Sequence, residues 1–170
     1  VVIGLPGAKI PSTVTAIGVA AFQYRTDIEQ LTLLPNITEI GERAFANCTN
    51  INYLSMSDNL KIIGKEAFKE CESLTRVTLG KGITEVSEGV FEDCSSLGSV
   101  TMTNEVISLG KGAFRGCYSL KKVTFSDKLT TIGENCFIGC MALEDVEIPK
   151  SVTEIGGSAF EYCKAIVSIA

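Results

Sequence analysis

The stretch E39-I-G-E-R-A-F-A-N-C48 returns as K61-I-I-G-K-E-A-F-K-E-C71, preserving Ile-Gly-x-x-Ala-Phe-x-x-Cys. The phrase belongs to a strict period: Phe22, Phe45, Phe68, Phe91, Phe114, Phe137 and Phe160 fall 23 residues apart without a slip. Only a repeat architecture keeps such phase. Neighbouring columns keep step. Ile17, Ile40, Ile63, Val86, Leu109, Ile132 and Ile155 stand five residues before each Phe, and Gly follows them everywhere except at Ser87. Ile28, Ile51, Leu74, Leu97, Leu120, Leu143 and Ile166 stand six after it, and Leu31, Leu54, Val77, Val100, Val123, Val146 and Ile169 three further on. These apolar columns are the expected core.

Each unit mixes periodicities, as a coil built from more than one element does. L74-T-R-V-T-L79 sets Val77 and Leu79 around Thr78 and predicts a short strand; I83-T-E-V86 predicts a second extended piece after a turn. The Ala-Phe-x-x-Cys spacing predicts a single helical turn with Phe and Cys on one face. The expected fold is an α/β repeat solenoid of seven 23-residue coils, each of short strands plus a short helical turn. Residues 10–170 make one domain, and residues 1–9 an irregular lead-in. A lone coil has too little interior to fold, so stability has to come from stacking, with strands about 4.7–4.9 Å apart.

Composition narrows the function. The 170 residues carry 15 Lys+Arg against 20 Asp+Glu, a net charge of −5 with no basic run, which argues against nucleic acid and anionic membranes. Hydrophobic residues reach 45%, but in short runs. None approaches the ~18 apolar residues of a membrane span, so no membrane insertion is expected. The opening VVIGLPGAKI lacks the charged and apolar regions of a secretion signal. The chain stops at Ala170 without a polar cap, so its last face is expected to be open and to stack on further chain or, end to end, on another molecule.

The unit P149-K-S-V-T-E-I-G-G-S-A-F-E-Y-C163, preceded by L143-E-D-V-E-I148, resembles the BspA-type (Treponema-type) leucine-rich repeat of surface proteins. That pattern runs roughly Leu-x-x-Val-x-Ile-Pro-x-x-Val-x-x-Ile-Gly-x-x-Ala-Phe-x-x-Cys and is matched across residues 10–170. Arg25 departs from it at the first Cys, Ser87 at one Gly, Val90 and Cys136 at the Ala, and Pro holds the family's position only at Pro11 and Pro149. The resemblance implies a leucine-rich repeat fold. It also implies extracellular or surface-anchored bacterial proteins, with related arrays in parasitic protists, that act in adhesion and ligand binding without catalysis.

Six of seven cysteines, Cys48, Cys71, Cys94, Cys117, Cys140 and Cys163, share one column, while Cys136 fills an Ala position. Stacking makes neighbouring Cβ vectors parallel and farther apart than the ~3.8 Å a disulfide prefers, so free buried thiols are expected. With no histidine and no Cys-x-x-Cys, no metal site is expected. No phosphate loop, dinucleotide glycine pattern or serine elbow is present, so neither a cofactor nor enzymatic activity is expected. Glu39, Glu85 and Glu154 share a column but are separated by Ile62, Ser108 and Thr131 and make no adjacent acid/base pair.

Two kinds of exposed column remain. Glu42, Lys65, Glu88, Lys111 and Glu134 alternate in sign, which avoids stacking like charges. Gln30, Tyr53, Arg76, Ser99, Lys122 and Asp145, each just before a core Leu or Val, never repeat a residue between adjacent units, whereas Thr32, Ser55, Thr78, Thr101, Thr124 and Glu147 beside them are uniform enough for strand propensity to explain. The variable column is the candidate ligand-binding face, with Tyr53 and Arg76 the pair best suited to a binding hot spot. The expected partner is a host or matrix protein or a glycan, met by an extracellular or cell-surface adhesion module. The alternative is a structural spacer that displays another domain and binds no ligand of its own.

Overall fold

The computed structural model describes residues 10–169; the lead-in expected over residues 1–9 lies outside them. Among the described residues, fourteen strands of two or three residues form two faces of a solenoid. One face consists of β1 (Ala16–Ile17), β3 (Glu39–Ile40), β5 (Ile62–Ile63), β7 (Glu85–Val86), β9 (Ser108–Leu109), β11 (Thr131–Ile132) and β13 (Glu154–Ile155). The other consists of β2 (Gln30–Thr32), β4 (Tyr53–Ser55), β6 (Arg76–Thr78), β8 (Ser99–Thr101), β10 (Lys122–Thr124), β12 (Asp145–Val146) and β14 (Ser168–Ile169). Pairing is parallel throughout with a 23-residue offset, as in Tyr53 against Gln30 and Val100 against Val77. Strand pleating turns the middle residue of β2, β4, β6 and β8 inward and leaves the flanking ones to solvent, with Ser55 of β4 and Ser99 of β8 half-buried.

The third side of each coil corrects the expectation of a helical turn. Cys48 N–H bonds Phe45 O at 3.2 Å and Ala44 N–H bonds Gly41 O at 3.3 Å, three residues back. The intervening amides point to the next coil, Arg43 N–H to Lys65 O at 2.9 Å and Phe45 N–H to Ala67 O at 2.8 Å. A helix would keep all of these bonds within the segment. The alternation requires a left-handed residue every fourth position, and Arg43, Asn47, Glu66 and Glu70 all have φ between 54° and 60°. Successive turns of the kind that demand φ > 0 at their third residue therefore replace the helix, and the class is an all-β solenoid. The count of seven coils is corrected too. Seven phenylalanines mark six intervals, so the chain makes about six complete turns between Phe22 and Phe160.

Each Phe ring stacks on the next at 5.2–5.6 Å with interplanar angles of 3–13°. The five inner rings are fully buried, while Phe22 and Phe160 have a stacked ring on one side only and remain partly exposed. Around them the Ile/Leu/Val columns complete one continuous core. The glycine after β3, β5, β9, β11 and β13 is required by close approach. A Cβ on Gly64 would lie 2.5 Å from Glu42 N, and one on Gly156 2.4 Å from Glu134 N.

Neither strand face is continuous. The first divides into β1-β3-β5 and β7-β9-β11-β13; the second into β2-β4, β6-β8-β10 and β12-β14. At one step, from the coil of β4 and β5 to that of β6 and β7, both lapse together. This is where Ser87 interrupts the glycine column. Gly41, Gly64, Gly110, Gly133 and Gly156 donate their amides to the preceding coil at 2.7–2.8 Å, and among the described residues Ser87 makes no such bond. Serine brings a Cβ to a position where glycine elsewhere leaves room for a neighbouring backbone, a physical reason for the lapse. The turn side still holds, through Glu66 N–H to Glu88 O at 2.9 Å and Phe68 N–H to Val90 O at 2.9 Å. At the second lapse, between β10 and β12, the bulky Phe125 stands edge-on to Phe137 at 5.9 Å and 89°.

Candidate functional site

The cysteine column could have been chemistry or packing, and its geometry is that of packing. All seven cysteines are free, and all but the half-exposed Cys163 are buried. Each thiol in the column donates to the carbonyl of the Phe one coil back, from Cys48 to Phe22 O at 3.0 Å through Cys163 to Phe137 O at 3.1 Å. Burial pushes Cys48 from 9.0 up to about 11 and Cys94 to about 12, and drives the other thiols upward as well. Thiolates, the reactive form, are scarce at neutral pH. Alkylation of the native chain near pH ~8 is expected to label Cys163 first and the rest slowly, and all seven should react once the chain is denatured without reductant. Three disulfides recovered by mass spectrometry would overturn this. Because folding raises these pKa values, the unfolded chain loses protons first. The associated stability is present below 9.0 and is lost as pH climbs through about 11 and about 12.

The turn side is occupied by ion pairs that join coils. Arg43 meets Glu66 at 2.6 Å, Lys65 meets Glu88 at 3.0 Å, Lys111 meets Glu134 at 3.0 Å, and Lys69 and Arg115 flank Glu92 at 3.3 and 3.9 Å. The Arg43 guanidinium holds the Glu66 carboxyl below its ordinary range. At the corners, Lys81 pairs with Asp58 at 3.5 Å and Lys128 with Glu105 at 3.0 Å. Among the described residues no group of three or more His, Cys, Asp or Glu side chains is placed to hold a metal ion, and no helix is long and apolar enough to cross a membrane.

The variable column lies on the β2-type face. Gln30, Tyr53, Arg76, Ser99, Lys122 and Asp145 each open a strand, one per coil. The register sets Tyr53 beside Gln30, and Ser99 between Arg76 and Lys122. The column is therefore divided by the two ladder lapses, Tyr53 from Arg76 and Lys122 from Asp145. Each lapse coincides with a groove. One of about 860 Å³ lies between Tyr53 and Arg76, and one of about 680 Å³ runs past Lys122, Phe125 and Glu147. The column itself is legible in the sequence. The grooves are not, and their only sequence signals are Ser87 in a glycine column and Phe125 in a column of Leu, Met and Ile.

This geometry has clear relatives. A T. pallidum leucine-rich repeat protein is 28% identical and superposes with a TM-score of 0.86 over 92% of this chain and 76% of its own. A leucine-rich repeat protein of Eubacterium ventriosum is also 28% identical, with a TM-score of 0.83, and this chain spans 43% of its length. A leucine-rich cell surface protein of Faecalibacterium prausnitzii shares the fold at 24% identity and a TM-score of 0.54, over 94% of this chain and 58% of its own. No curated protein sequence matches the chain. The BspA type leucine rich repeat region matches residues 4–106 and 84–170 in six copies, in line with the stacked Phe column and its glycine and cysteine companions. The chain belongs to the BspA-type leucine-rich repeat family.

Proposed function

We propose that the chain is an extracellular or cell-surface recognition and adhesion module that binds a protein or glycan partner through the face of Gln30, Tyr53, Arg76, Ser99, Lys122 and Asp145. One observation carries the reading: these strands hold a single outward position per coil, in fixed register within β2-β4 and within β6-β8-β10, and the chemistry at that position changes at every step. A surface whose neighbours cannot shift relative to each other presents a rigid pattern, so a ligand meets it with little ordering cost. The turn side is already engaged in coil-to-coil ion pairs, which leaves the two strand faces free. Family membership supports the surface location.

In a screen of matrix proteins and glycans, Tyr53→Ala with Arg76→Ala is expected to abolish binding while leaving the melting temperature nearly unchanged, because both side chains are exposed. Equal binding by variant and parent would move the site elsewhere. A parent that binds nothing saturably would favour the spacer.

A further inference from the structure

The β6-β8-β10 sheet differs in charge from the rest of the molecule. Its three strands and the residues immediately before them carry Arg76, Lys121 and Lys122 and no carboxylate, on a chain of net charge −5. Most other cations are neutralised by a partner within 4.0 Å, but Arg76 and Lys121 meet no carboxylate among the described residues. The remaining outward positions are Thr75, Thr78, Thr101, Thr124 and Ser99, with Gly98 bare between them. The band ends abruptly at β12, where Glu144 and Glu147 follow.

The two grooves differ in the same way. In the larger, Asp58 offsets Lys81 and leaves Arg76 as the surplus charge. In the smaller, Lys121, Lys122 and Lys150 face Asp127, Glu144 and Glu147, and the charges balance. The larger groove is lined in part by the polar side chains of Asn52, Ser55, Thr75, Thr78, Ser99 and Thr103. Of its apolar lining residues, Leu54 and Leu79 are 7% and 1% exposed and belong to the core, and Met56 packs against it partly buried. Tyr53, 53% exposed, supplies a flat ring on the rim. Within the band β8 is bonded on both sides, so the only backbone edges beside the groove are those that β4 and β6 turn toward the lapse.

We propose that the groove between Tyr53 and Arg76, with the adjoining β6-β8-β10 band, binds an acidic saccharide. The Arg76 guanidinium pairs with the sugar's acid group through two parallel N–H bonds. The hydroxyls of Thr75, Thr78 and Ser99 meet sugar hydroxyls, the Tyr53 ring packs on a sugar face, and Lys121 and Lys122 hold the next acid along the chain. The inference rests on the reading of the strand face as the recognition surface and specifies its ligand class.

The test is fluorescence anisotropy of the intact chain with labelled hexagalacturonate, its methyl ester, a heparin-derived hexasaccharide and hexaglutamate. Hexagalacturonate or the heparin fragment should bind, more weakly as salt rises, and whichever binds more tightly identifies the acid group as carboxylate or sulfate. Methyl esterification should remove hexagalacturonate binding. Arg76→Ala and Tyr53→Ala should each weaken binding by about tenfold or more, with Arg76→Lys and Tyr53→Phe between variant and parent, while Lys61→Ala and Lys164→Ala leave it unchanged. Equal binding of the methyl ester, equal binding by Arg76→Ala, or tighter binding of hexaglutamate would overturn the proposal. If both acidic sugars fail while a matrix protein binds and is lost in the Tyr53/Arg76 double variant, the ligand class falls and the strand-face reading stands. If no strand-face substitution affects any bound ligand, both fall.

Discussion

Phe91→Ala is expected to destabilise the solenoid by about 3–5 kcal/mol, the largest loss for any single side chain in the stack. The ring is completely buried, between Phe68 at 5.6 Å and Phe114 at 5.5 Å. A coil contacts only its neighbours, so a cavity in one rung cannot be relieved by distant repacking. The position also sits beside the step where both strand ladders lapse, and there the Phe stack and the turn-side bonds carry the connection. At roughly 2–4 °C per kcal/mol for a chain of this size, the melting temperature should fall by about 10 °C, and the two halves should begin to melt separately. Phe22→Ala, at a partly exposed end ring, should cost less than half as much in the same urea and thermal titrations. Equal losses at both positions would show that burial along the stack does not set the cost.

The second large effect concerns a residue with no side chain. Gly64→Ser is expected to cost about 1–3 kcal/mol by overpacking, since the new Cβ would press on backbone that cannot rotate away. The nearest atoms are Glu42 N at 2.5 Å and Gly41 C at 2.6 Å. Separation of the two coils would break the bond from Gly64 N–H to Ile40 O, now 2.7 Å, and amide exchange at Lys61 and Gly64 should quicken. The reciprocal change, Ser87→Gly, should stabilise the chain and slow exchange across the gap between β5 and β7. A neutral Gly64→Ser would mean that close approach does not constrain this column.

The contrast between these two columns shows what the residues disclose in advance. The Phe period and its apolar companions fix the stacking, because hydrophobic columns at a constant spacing have one way to be buried together. The turn side is less transparent. A three-residue separation of Phe45 and Cys48 fits a helical turn and two successive tight turns equally well. The distinguishing signal lies across coils: the positions two before and two after each Phe hold Gly89, Gly112, Gly116, Gly139, Asn47, Asn135 and Asp93, residues tolerant of positive φ. Arg43, Glu66, Glu70 and Tyr24 occupy the same columns and conceal it. The candidate face is readable as a column of changing chemistry. The grooves within it depend on the volume of single side chains at Ser87 and Phe125, and no periodicity encodes that. Charge alternation is likewise visible, but the pairing of Lys65 with Glu88 and Lys111 with Glu134 follows from where side chains settle.

Coils this alike create a hazard during folding, since a chain that looped out one coil could still stack Phe on Phe and Leu on Leu. The ion pairs distinguish the two outcomes. Among the described residues, all the ion pairs but the local Arg25–Asp27 join residues 23 apart, and skipping one coil would set Glu42 against Glu88, Lys65 against Lys111 and Glu88 against Glu134. The same collision would meet a coil borrowed from a second molecule one place out of order. Modest as stabilisers of the finished stack, these charges act as a proofreading code for its assembly, rejecting mis-threaded and swapped forms that the hydrophobic columns alone would accept.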